Sequence, residues 1–495
     1  MNRIALLSVK WHFAAFVTLG AALGFTNGRQ LVPGLIWIVP GLLLALMRHS
    51  STWVSLVGLV VASAIAGGLQ WTGIVPLSLP LSIGSAVALG LVLALPFAAD
   101  RLCYDRLPLL AGLFVFPFAQ VSLELTTSSL LPYASFGAWA YTQTFAPRII
   151  QIASLFGFWA VSFVVAAMAP AIATALTQTG ARRWLGLLSA GVMVLATLSF
   201  GSLRLATIPR QSSPVTLVGL AAKPSDLMTI IETKDGCGAD DCAKARADAR
   251  EQVDRLFLRT EAAARRGDVD LITWSEAAAP LFDEDVAAFA TRARSISQRY
   301  RLYLAPAVFI IEPGRTPWRN EVYLLDPAGR RITAHLKSKP VPGEISVDGP
   351  DRLPVVKTRI GMVGLAICYD MDFQALARQA SGARLMLVPG SDWLAIDPLH
   401  PNMVAMRAVE NGYAVLRPSR ESASVAFDGF GREIGRTAWQ GVDEPTVRAT
   451  LGSVAPRTLY SRLGDMFAYL AAIAFTGLCV AAGLTKSGRR SGDST

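Results

Sequence analysis

Three short runs in the second half of the chain carry the residue types of an acyl-transfer site. They supply a carboxylate at Glu276, an ammonium group at Lys337 or Lys339, and a thiol at Cys368, each beside a short apolar run. A thiol attacks an acyl carbon as the thiolate, and a free cysteine is ionised to only a few per cent at neutral pH. Cys368 therefore needs a base or a neighbouring cation, and an ammonium group can stabilise the oxyanion that forms.

The carboxylate is the base that the sequence favours, because Glu276 follows the strand-like run Leu271–Trp274. Two of the four histidines fall in membrane-like segments, which leaves His335 and His400 as candidates for a Cys-His dyad with Cys368. Spacing alone does not choose between Lys337 and Lys339. Taken singly, a buried Cys is most often a core residue, a loop Lys is usually solvated, and a strand-end Glu often caps a helix. Their combination in this order favours a site.

These runs lie between long apolar stretches of a chain with 495 residues, of which 52% are hydrophobic and 17% charged. A bilayer-spanning helix needs about 20 mostly apolar residues. The sequence predicts eight spans and therefore three regions: a membrane domain at 1–205, an inserted soluble domain at 206–460, and a final span with a basic tail at 461–495. The predicted spans are 11–26, 31–47, 53–72, 79–98, 108–128, 149–176, 184–203 and 465–485.

The basic residues predict the orientation of this layout. Most of those near the spans, such as Arg48, Arg101 and Arg183, fall on one side of an eight-span arrangement, which the positive-inside rule makes cytoplasmic. The soluble domain then faces outward. This distribution also accounts for much of the net charge of +10, so nucleic-acid binding is not favoured. A cleaved signal peptide is the competing interpretation of the first span, and the alternation of loop charge argues against it.

Other polar and sulfur-containing residues receive simpler predictions. Cys103 and Cys479 lie at or inside apolar segments and are expected to pack there. Cys237 and Cys242 can form a local disulfide if their loop faces an oxidising compartment, and they lack the further ligands that a metal site needs. Glu124, in the fifth span, is either an interfacial residue, which we favour, or a carboxylate that faces a site.

Strand-like and helix-like stretches alternate through 206–460 and predict a layered α/β domain with a mixed sheet. Apolar runs predict strands at 214–220, 271–274, 302–305, 360–367 and 385–389, and a hairpin at 321–336. Helices are predicted at 240–266, 283–301 and 373–380. The apolar run before Cys368 delivers the thiol at the end of a strand.

With these motifs in place, the chain resembles the apolipoprotein N-acyltransferases, membrane members of the carbon–nitrogen hydrolase (nitrilase) superfamily. The similarity rests on Trp274-Ser275-Glu276, Lys337-Ser338-Lys339-Pro340, Cys368-Tyr369-Asp370 and the run from Met403 to Gly412, and the stretch from Gly137 to Phe163 is also similar. Pro340–Glu344 resembles a family stretch that is one residue longer. Aligned in this way, the family pattern selects Lys337 as the oxyanion lysine.

The resemblance implies a four-layer αββα catalytic domain, outside the cytoplasm, on a bacterial inner membrane protein. It implies catalytic roles for Glu276, Lys337 and Cys368, and supporting places in the site for the four residues Glu344, Tyr369, Asp370 and Trp393. It also implies transfer of a phospholipid acyl chain, through a Cys thioester, to the amino group of a diacylglyceryl-cysteine lipoprotein. No cofactor or metal is expected.

Three departures from the family pattern leave the acyl acceptor open. Asp370 stands where the family has Glu, Ser391–Ala395 is a shortened form of an Asn-Asp-Ala-Trp-Phe-Gly run, and Arg417–Ser422 differs from an Arg-Ala-Thr-Asn-x-Gly run. The alternatives are a membrane-tethered amidase, an acyl or peptidyl transferase with another acceptor, and a non-catalytic membrane scaffold.

Overall fold

A computed structural model describes residues 3–223, 239–312, 316–440, 442 and 444–485. The chain divides into two compact units. One comprises Met1–Arg204 with Leu463–Thr495, and the other comprises Leu205–Arg462. The division falls close to the two composition boundaries in the sequence.

The first unit is helical. Six helices within the described residues are long and apolar enough to cross a membrane, and they correspond to predicted spans three to eight. The second predicted span is a shorter apolar helix, and the first lies in a helix that does not belong to these six, so the count of eight stays a prediction. The helices are Arg3–Leu23, Val39–His49, Thr52–Trp71, Leu79–Leu93, Leu95–Cys103, Leu109–Leu130, Pro147–Ile150, Ala153–Phe156, Phe158–Thr177, Arg182–Ala206 and Met466–Leu484.

The sixth predicted span is shorter than the sequence indicated. Apolar residues run from 149 onward, but the long helix begins only at Phe158. Gly157 has φ of 71° and ends the short helix Ala153–Phe156, because that backbone conformation is incompatible with a continuing right-handed helix. Hydrophobicity alone did not reveal this break.

Glu124 is buried inside the helical unit and is not solvent-exposed, while its depth relative to a membrane surface stays a prediction. One carboxylate oxygen accepts hydrogen bonds from Gln120 Nε2 and from the backbone N–H of Trp139, both at 2.9 Å. With Trp71 and Tyr133, Glu124 lines a narrow recess of about 20 Å³. The carboxylate thus ties the helix Leu109–Leu130 to the loop that follows it.

The second unit contains two sheets. The eight-stranded sheet has strands in the order Thr446–Ser453, Arg210–Leu220, Leu271–Trp274, Tyr303–Ala305, Arg319–Leu325, Ala307–Ile311 and Ala279–Phe282, and Arg331–Leu336 also pairs with Arg319–Leu325. The six-stranded sheet has the order Glu433–Thr437, Ser424–Phe427, Ala414–Arg417, Leu385–Leu387, Gly361–Leu365 and Val355–Thr358. Gly390–Ser391 and Ser419–Arg420 form a separate parallel pair.

The two sheets pack face to face between two layers of helices. Leu217 and Leu271 of the larger sheet share a buried cluster with Val363 and Leu416 of the smaller one. The helices Ala239–Ala264 and Val286–Tyr300 cover the outer face of the larger sheet, and Gln374–Gln379 and Leu399–Asn411 cover that of the smaller sheet. The four layers agree with the αββα fold that the resemblance implied.

Most predicted elements of this unit are confirmed within a few residues. The runs at 271–274 and 302–305 are strands, the hairpin pairs Arg319–Leu325 with Arg331–Leu336, and a helix spans Ala239–Ala264. The assignment of strands to two sheets was not predicted, because alternation along the chain shows which face of a strand is buried and not which sheet the strand joins.

We predict that the buried ion pair of the helical unit stabilises it strongly. Arg48 donates two hydrogen bonds to Asp100, at 2.8 and 3.0 Å, and both side chains are buried. Arg48→Leu should leave the Asp100 carboxylate buried without its cation, at a cost of about 3 kcal/mol or more. The thermal unfolding midpoint in detergent should fall clearly, whereas Arg106→Leu, at an exposed position, should change it little. Equal effects of the two variants would contradict this role.

Candidate active site

Glu276 is placed by a sharp turn at the end of a buried strand. The strand Leu271–Trp274 is fixed on its outer side by Trp274, whose indole N–H donates to Thr260 Oγ1 at 3.0 Å. Two residues later the Glu276 N–H donates to the carbonyl of Gly390 at 3.2 Å, which links the larger sheet to the loop after the smaller one. Ala277 has φ of 49°, a left-handed conformation that turns the chain away and leaves Glu276 inside.

Lys337 follows the strand Arg331–Leu336 and lies between two carboxylates. Its Nζ is 2.7 Å from Glu276 Oε1 and 2.6 Å from Glu344 Oε2. Asn320 Nδ2 donates to the same two acids, at 2.8 Å to Glu276 and 3.0 Å to Glu344. Lysine and asparagine together thus hold the two carboxylates in one buried group.

The charges of this group support one another. Burial opposes the charge of Lys337, but Glu276 and Glu344 outweigh it and raise the pKa of the ammonium group above its ordinary value. Burial likewise acts to raise the pKa of Glu344, but Lys337 lowers it overall. At neutral pH the ammonium group is therefore charged and the Glu344 carboxyl is ionised.

Lys339 has different surroundings from Lys337. Its Nζ lies 2.7 Å from Asp351, a partly exposed pair, and 5.4 Å from the centre of the Phe373 ring. The structure therefore brings Lys337, and not Lys339, to Glu276.

Cys368 occupies a strained position where a strand of the smaller sheet turns into a short 3-10 helix, Cys368–Asp372. Its φ is 43°, a conformation that costs a residue with a side chain about 1–3 kcal/mol. The Cys368 N–H donates to the carbonyl of Pro389 at 2.8 Å, and the Asp370 carboxylate accepts the Ile367 N–H at 2.9 Å. These bonds hold the turn that presents the thiol.

The Cys368 thiol lies near a carboxylate and a guanidinium group, which carry opposite charges. Its Sγ lies 3.7 Å from Asp392 Oδ1 and 3.7 Å from Arg417 Nη2. Burial, followed by the carboxylates of Glu276 and Asp392, raises the pKa of the thiol well above its ordinary value, against the opposing effects of Arg417 and Lys337. The resting thiol is therefore protonated at neutral pH, and its activation requires a transfer of the proton to a base.

His400 joins this group but is not a base for Cys368. Its Nδ1 is 2.7 Å from Asp392 and its Nε2 is 2.8 Å from Asp372, so both ring nitrogens face carboxylates. Burial opposes the charge, but the two acids raise the pKa of His400 to about 9. The ring is protonated at neutral pH and has no free nitrogen to accept a proton.

His335 has no part in a dyad either. Its Nε2 is bonded to Asp370 Oδ2 at 2.8 Å, and the other oxygen of Asp370 accepts the Lys339 N–H at the same distance. Asp370 therefore holds the histidine, the lysine loop and the turn at Cys368. The Cys-His alternative is not supported by the arrangement of either ring.

Cys368, Asp392 and His400 place one potential metal-ligand atom each within 4.8 Å of one another. Arg417, however, donates to both Asp392 oxygens, at 2.7 and 2.9 Å. A cation at this point would meet a guanidinium group and a protonated imidazole, so these residues fit a charge network better than a metal site.

Comparison with known proteins gives matches in both units. The model of the N-terminal domain of apolipoprotein N-acyltransferases matches residues 9–171, and the carbon–nitrogen hydrolase model matches residues 231–441. The apolipoprotein N-acyltransferase of Geobacter metallireducens is 25% identical over 72% of this chain and 71% of its own length. That of Rhodopseudomonas palustris is 26% identical over 81% and 80%. An amidase of known structure from Nesterenkonia sp. is 20% identical, with a TM-score of 0.38 over 50% of this chain and 93% of its own.

The two domain models match one unit each, and the relatives extend across both units. The chain belongs to the apolipoprotein N-acyltransferase family of the carbon–nitrogen hydrolase superfamily. The three family motifs place Glu276, Lys337 and Cys368 in the second unit, where all three side chains are buried.

The supporting residues expected from the family divide into two kinds. Glu344 contacts Lys337 directly. Asp370 points into the turn, where its carboxylate is hydrogen-bonded to His335 and to two backbone N–H groups. Tyr369 is half-buried and packs edge-to-face on Phe373, with ring centres 5.2 Å apart, and Trp393 is half-buried in the loop after Asp392.

Several polar residues of the site were missed as site residues. Asn320 is buried between the partly exposed Arg319 and Glu321, and these charged neighbours in the sequence gave no signal that its side chain faces the site. Asp392 and Arg417 were noted only as parts of altered motifs, although Arg417 ends a strand of the smaller sheet and Asp392 follows the short strand Gly390–Ser391. The pairing of Cys237 with Cys242 lies outside the described residues.

We predict that His400 stabilises the fold in its protonated form. Its folded pKa of about 9 exceeds the value of about 6.5 for an unfolded chain, so this stabilisation is complete below pH 6.5 and is lost as the pH rises to about 9. The difference corresponds to roughly 3 kcal/mol. The loss of thermal stability in His400→Gln should therefore be larger at pH 6 than at pH 9.5. A pH-independent difference between variant and parent would disprove this.

Proposed function

We propose that the protein is a membrane lipoprotein N-acyltransferase that uses Glu276, Lys337 and Cys368. The observation that carries the proposal is the contact of 2.7 Å between Lys337 and Glu276 in a buried centre whose charges also act on the Cys368 thiol. The family match across both units supports a membrane setting and an acyl-transfer reaction. The proposed cellular location is a bacterial inner membrane, with the catalytic unit on its outer side.

In the first half-reaction, Cys368 attacks an ester carbonyl of a phospholipid while Glu276 takes the thiol proton. An S–C bond forms, the ester C–O bond breaks, and the leaving lysophospholipid oxygen takes the proton from Glu276. Lys337 and the backbone N–H of Tyr369 stabilise the tetrahedral oxyanion. A thioester between the acyl chain and Cys368 remains.

The contacts of Lys337 suit this step. In the resting site two carboxylates, Glu276 and Glu344, offset its positive charge. When Glu276 accepts the thiol proton, one of those negative charges is neutralised. The field of the ammonium group then acts on the thiolate and on the oxyanion, at the point in the reaction when negative charge develops. Glu344 and Asn320 keep the lysine in place.

In the second half-reaction an amine attacks the thioester. Glu276 removes a proton from the amine, the C–S bond breaks, and the Cys368 thiolate regains a proton as the amide is formed. The proposed acceptor is the N-terminal diacylglyceryl-cysteine of an apolipoprotein. The reaction uses a phospholipid donor and a lipoprotein acceptor and requires no cofactor.

Two other catalytic functions would differ from this one in how the acyl-enzyme is discharged. A membrane-tethered amidase would discharge the acyl-enzyme with water, and a transferase with another acceptor would use a different amine, as the altered segments Ser391–Ala395 and Arg417–Ser422 allow. A non-catalytic scaffold would form no acyl-enzyme. The strain at Cys368 and the buried Lys337 argue against a scaffold, because both are costly to maintain without a reaction.

We predict an acyl adduct on Cys368. Purified protein incubated with a phospholipid should gain the mass of one acyl chain, because attack by the thiol releases lysophospholipid and leaves a thioester. Cys368→Ala should abolish the adduct, Glu276→Gln and Lys337→Met should slow its formation by roughly 100-fold or more, and Cys479→Ala should leave it intact. Intact mass spectrometry measures all four variants.

Persistence of the adduct in Cys368→Ala would overturn the assignment of the nucleophile. Discharge of the adduct is then followed with a diacylglyceryl-cysteine peptide, with the same peptide carrying an acetylated amino group, and with buffer alone. Discharge only by the free amine supports the N-acyltransferase, and equal discharge in buffer supports the amidase.

The orientation predicts which residues are accessible from outside the cell membrane. In a variant without the native cysteines, Lys357→Cys in the catalytic unit and Ala181→Cys in the loop before Arg182 both provide an exposed thiol. A maleimide that cannot cross membranes should label position 357 in intact spheroplasts and position 181 only after lysis. The reverse pattern would invert the proposed orientation.

A further inference from the structure

Arg417 is a second buried cation beside the Cys368 thiol. It ends the strand Ala414–Arg417, which lies two strands from the one that leads to Cys368. Its Nη2 is 3.7 Å from Sγ, and the side chain is almost completely buried. The geometry of this contact makes the sulfur an acceptor for a guanidinium N–H.

The position of Arg417 is fixed by a bidentate contact with Asp392. Nη1 donates to Oδ2 at 2.9 Å and Nη2 donates to Oδ1 at 2.7 Å. Ser422 and His400 also bond the Asp392 carboxylate, at 2.6 and 2.7 Å. The carboxylate thus has three partners besides the thiol, and the guanidinium group has little freedom to leave the sulfur.

Asp392 and Arg417 must act on the thiol in opposite senses. The resting S–H group donates toward Asp392 Oδ1 at 3.7 Å, so the carboxylate stabilises the protonated sulfur and repels the thiolate. The Arg417 N–H offers no stabilisation to a thiol proton but directly stabilises a negative sulfur. Lys337 lies between two carboxylates, whereas Arg417 places an N–H on the sulfur itself.

We propose that Arg417 stabilises the Cys368 thiolate during acyl transfer and that Asp392 positions Arg417 and retains the proton on the resting thiol. This assignment deepens the proposed function and relies on it for the identity of the base. In the step concerned, the S–H bond breaks, an O–H bond forms on Glu276, and the electron pair stays on sulfur. The negative charge then lies within reach of the Arg417 N–H.

The thiol has other charged and titratable neighbours, which the test must hold constant. The groups that act on Cys368 from the surrounding elements are Glu276, Lys337, Asp392, Arg417, Arg420 and Tyr369, and His400 places a ring nitrogen within 4.8 Å of the sulfur. Only Asp392 and Arg417 are replaced in the experiment, so a shift in the titration of the thiol is attributed to this pair together with the His400 ring that Asp392 holds.

The test is the pH dependence of alkylation of Cys368 by iodoacetamide, in the full chain in detergent without lipid or acceptor. Mass spectrometry of the Cys368 peptide follows the rate. Asp392→Asn removes the negative charge but keeps an amide oxygen that can still accept an Arg417 N–H, so it should lower the thiol pKa by about one unit and speed alkylation roughly tenfold at a pH below both pKa values. Arg417→Met should raise the pKa by about one unit and slow alkylation to a similar extent.

The opposite signs distinguish this role from a structural one. Loss of packing or folding would move both variants in the same direction, and that result, or the absence of a shift in Asp392→Asn, would overturn the proposal. Asp428→Asn is the matched control, because Asp428 is another buried aspartate of this unit that is paired with an arginine, Arg432. It should leave the titration of Cys368 unchanged even where it lowers the thermal midpoint.

A double variant, Asp392→Asn with Arg417→Met, should return the thiol pKa close to that of the parent, since one charge of each sign is removed. This variant also covers the case in which Arg417→Met alone does not fold. The alkylation assay contains no acyl donor. Shifts in alkylation without an acyl adduct would therefore reject the proposed function alone, and an adduct without the shifts would reject the role of Arg417 and Asp392 alone.

Discussion

The catalytic unit is organised around one buried ammonium group held by two carboxylates. Lys337 contacts Glu276 and Glu344 at hydrogen-bonding distances; Lys337 and Glu276 are buried, and Glu344 is partly buried. Burying one of these charges alone would be costly, so each member requires the other two. The strand end that carries Glu276, the loop that carries Glu344 and the end of the hairpin at Lys337 must therefore assemble together. This constraint fixes the Glu276 carboxylate where it acts on the Cys368 thiol.

The second constraint is the junction between the two sheets. Glu276 and Lys337 follow strands of the larger sheet, whereas Cys368 and Arg417 lie at the ends of strands of the smaller one. Asp392 follows the short strand Gly390–Ser391 of the separate pair. The apolar cluster between the sheets, which includes Leu271 and Leu365, brings these strand ends to the same edge. Packing of the core thereby determines the geometry of the candidate site, and a displacement of one sheet would separate Glu276 from the Cys368 thiol.

Much of this arrangement could be predicted from the sequence. Apolar runs located the strands before Glu276 and Cys368, and the family pattern selected Lys337 over Lys339. The rest depends on contacts between residues distant in the chain. No local pattern shows that Asp370 bonds His335, or that both nitrogens of His400 are bound by Asp372 and Asp392. The break at Gly157 and the burial of Glu124 were missed for the same reason, since each follows from backbone geometry or packing and not from hydrophobicity.

The two polar groups around Cys368 differ in their balance of acidic and basic side chains, and this difference bears on how the site works. Lys337 contacts two acids, Glu276 and Glu344. The second group combines two acids, Asp372 and Asp392, with two basic side chains, His400 and Arg417. In the proposed mechanism, transfer of the thiol proton to Glu276 would place negative charge on the sulfur, which Arg417 Nη2 contacts at 3.7 Å. Because Lys337 and Arg417 both act on the sulfur before the reaction, the site provides positive charge in advance at the point where the proposed step would create negative charge.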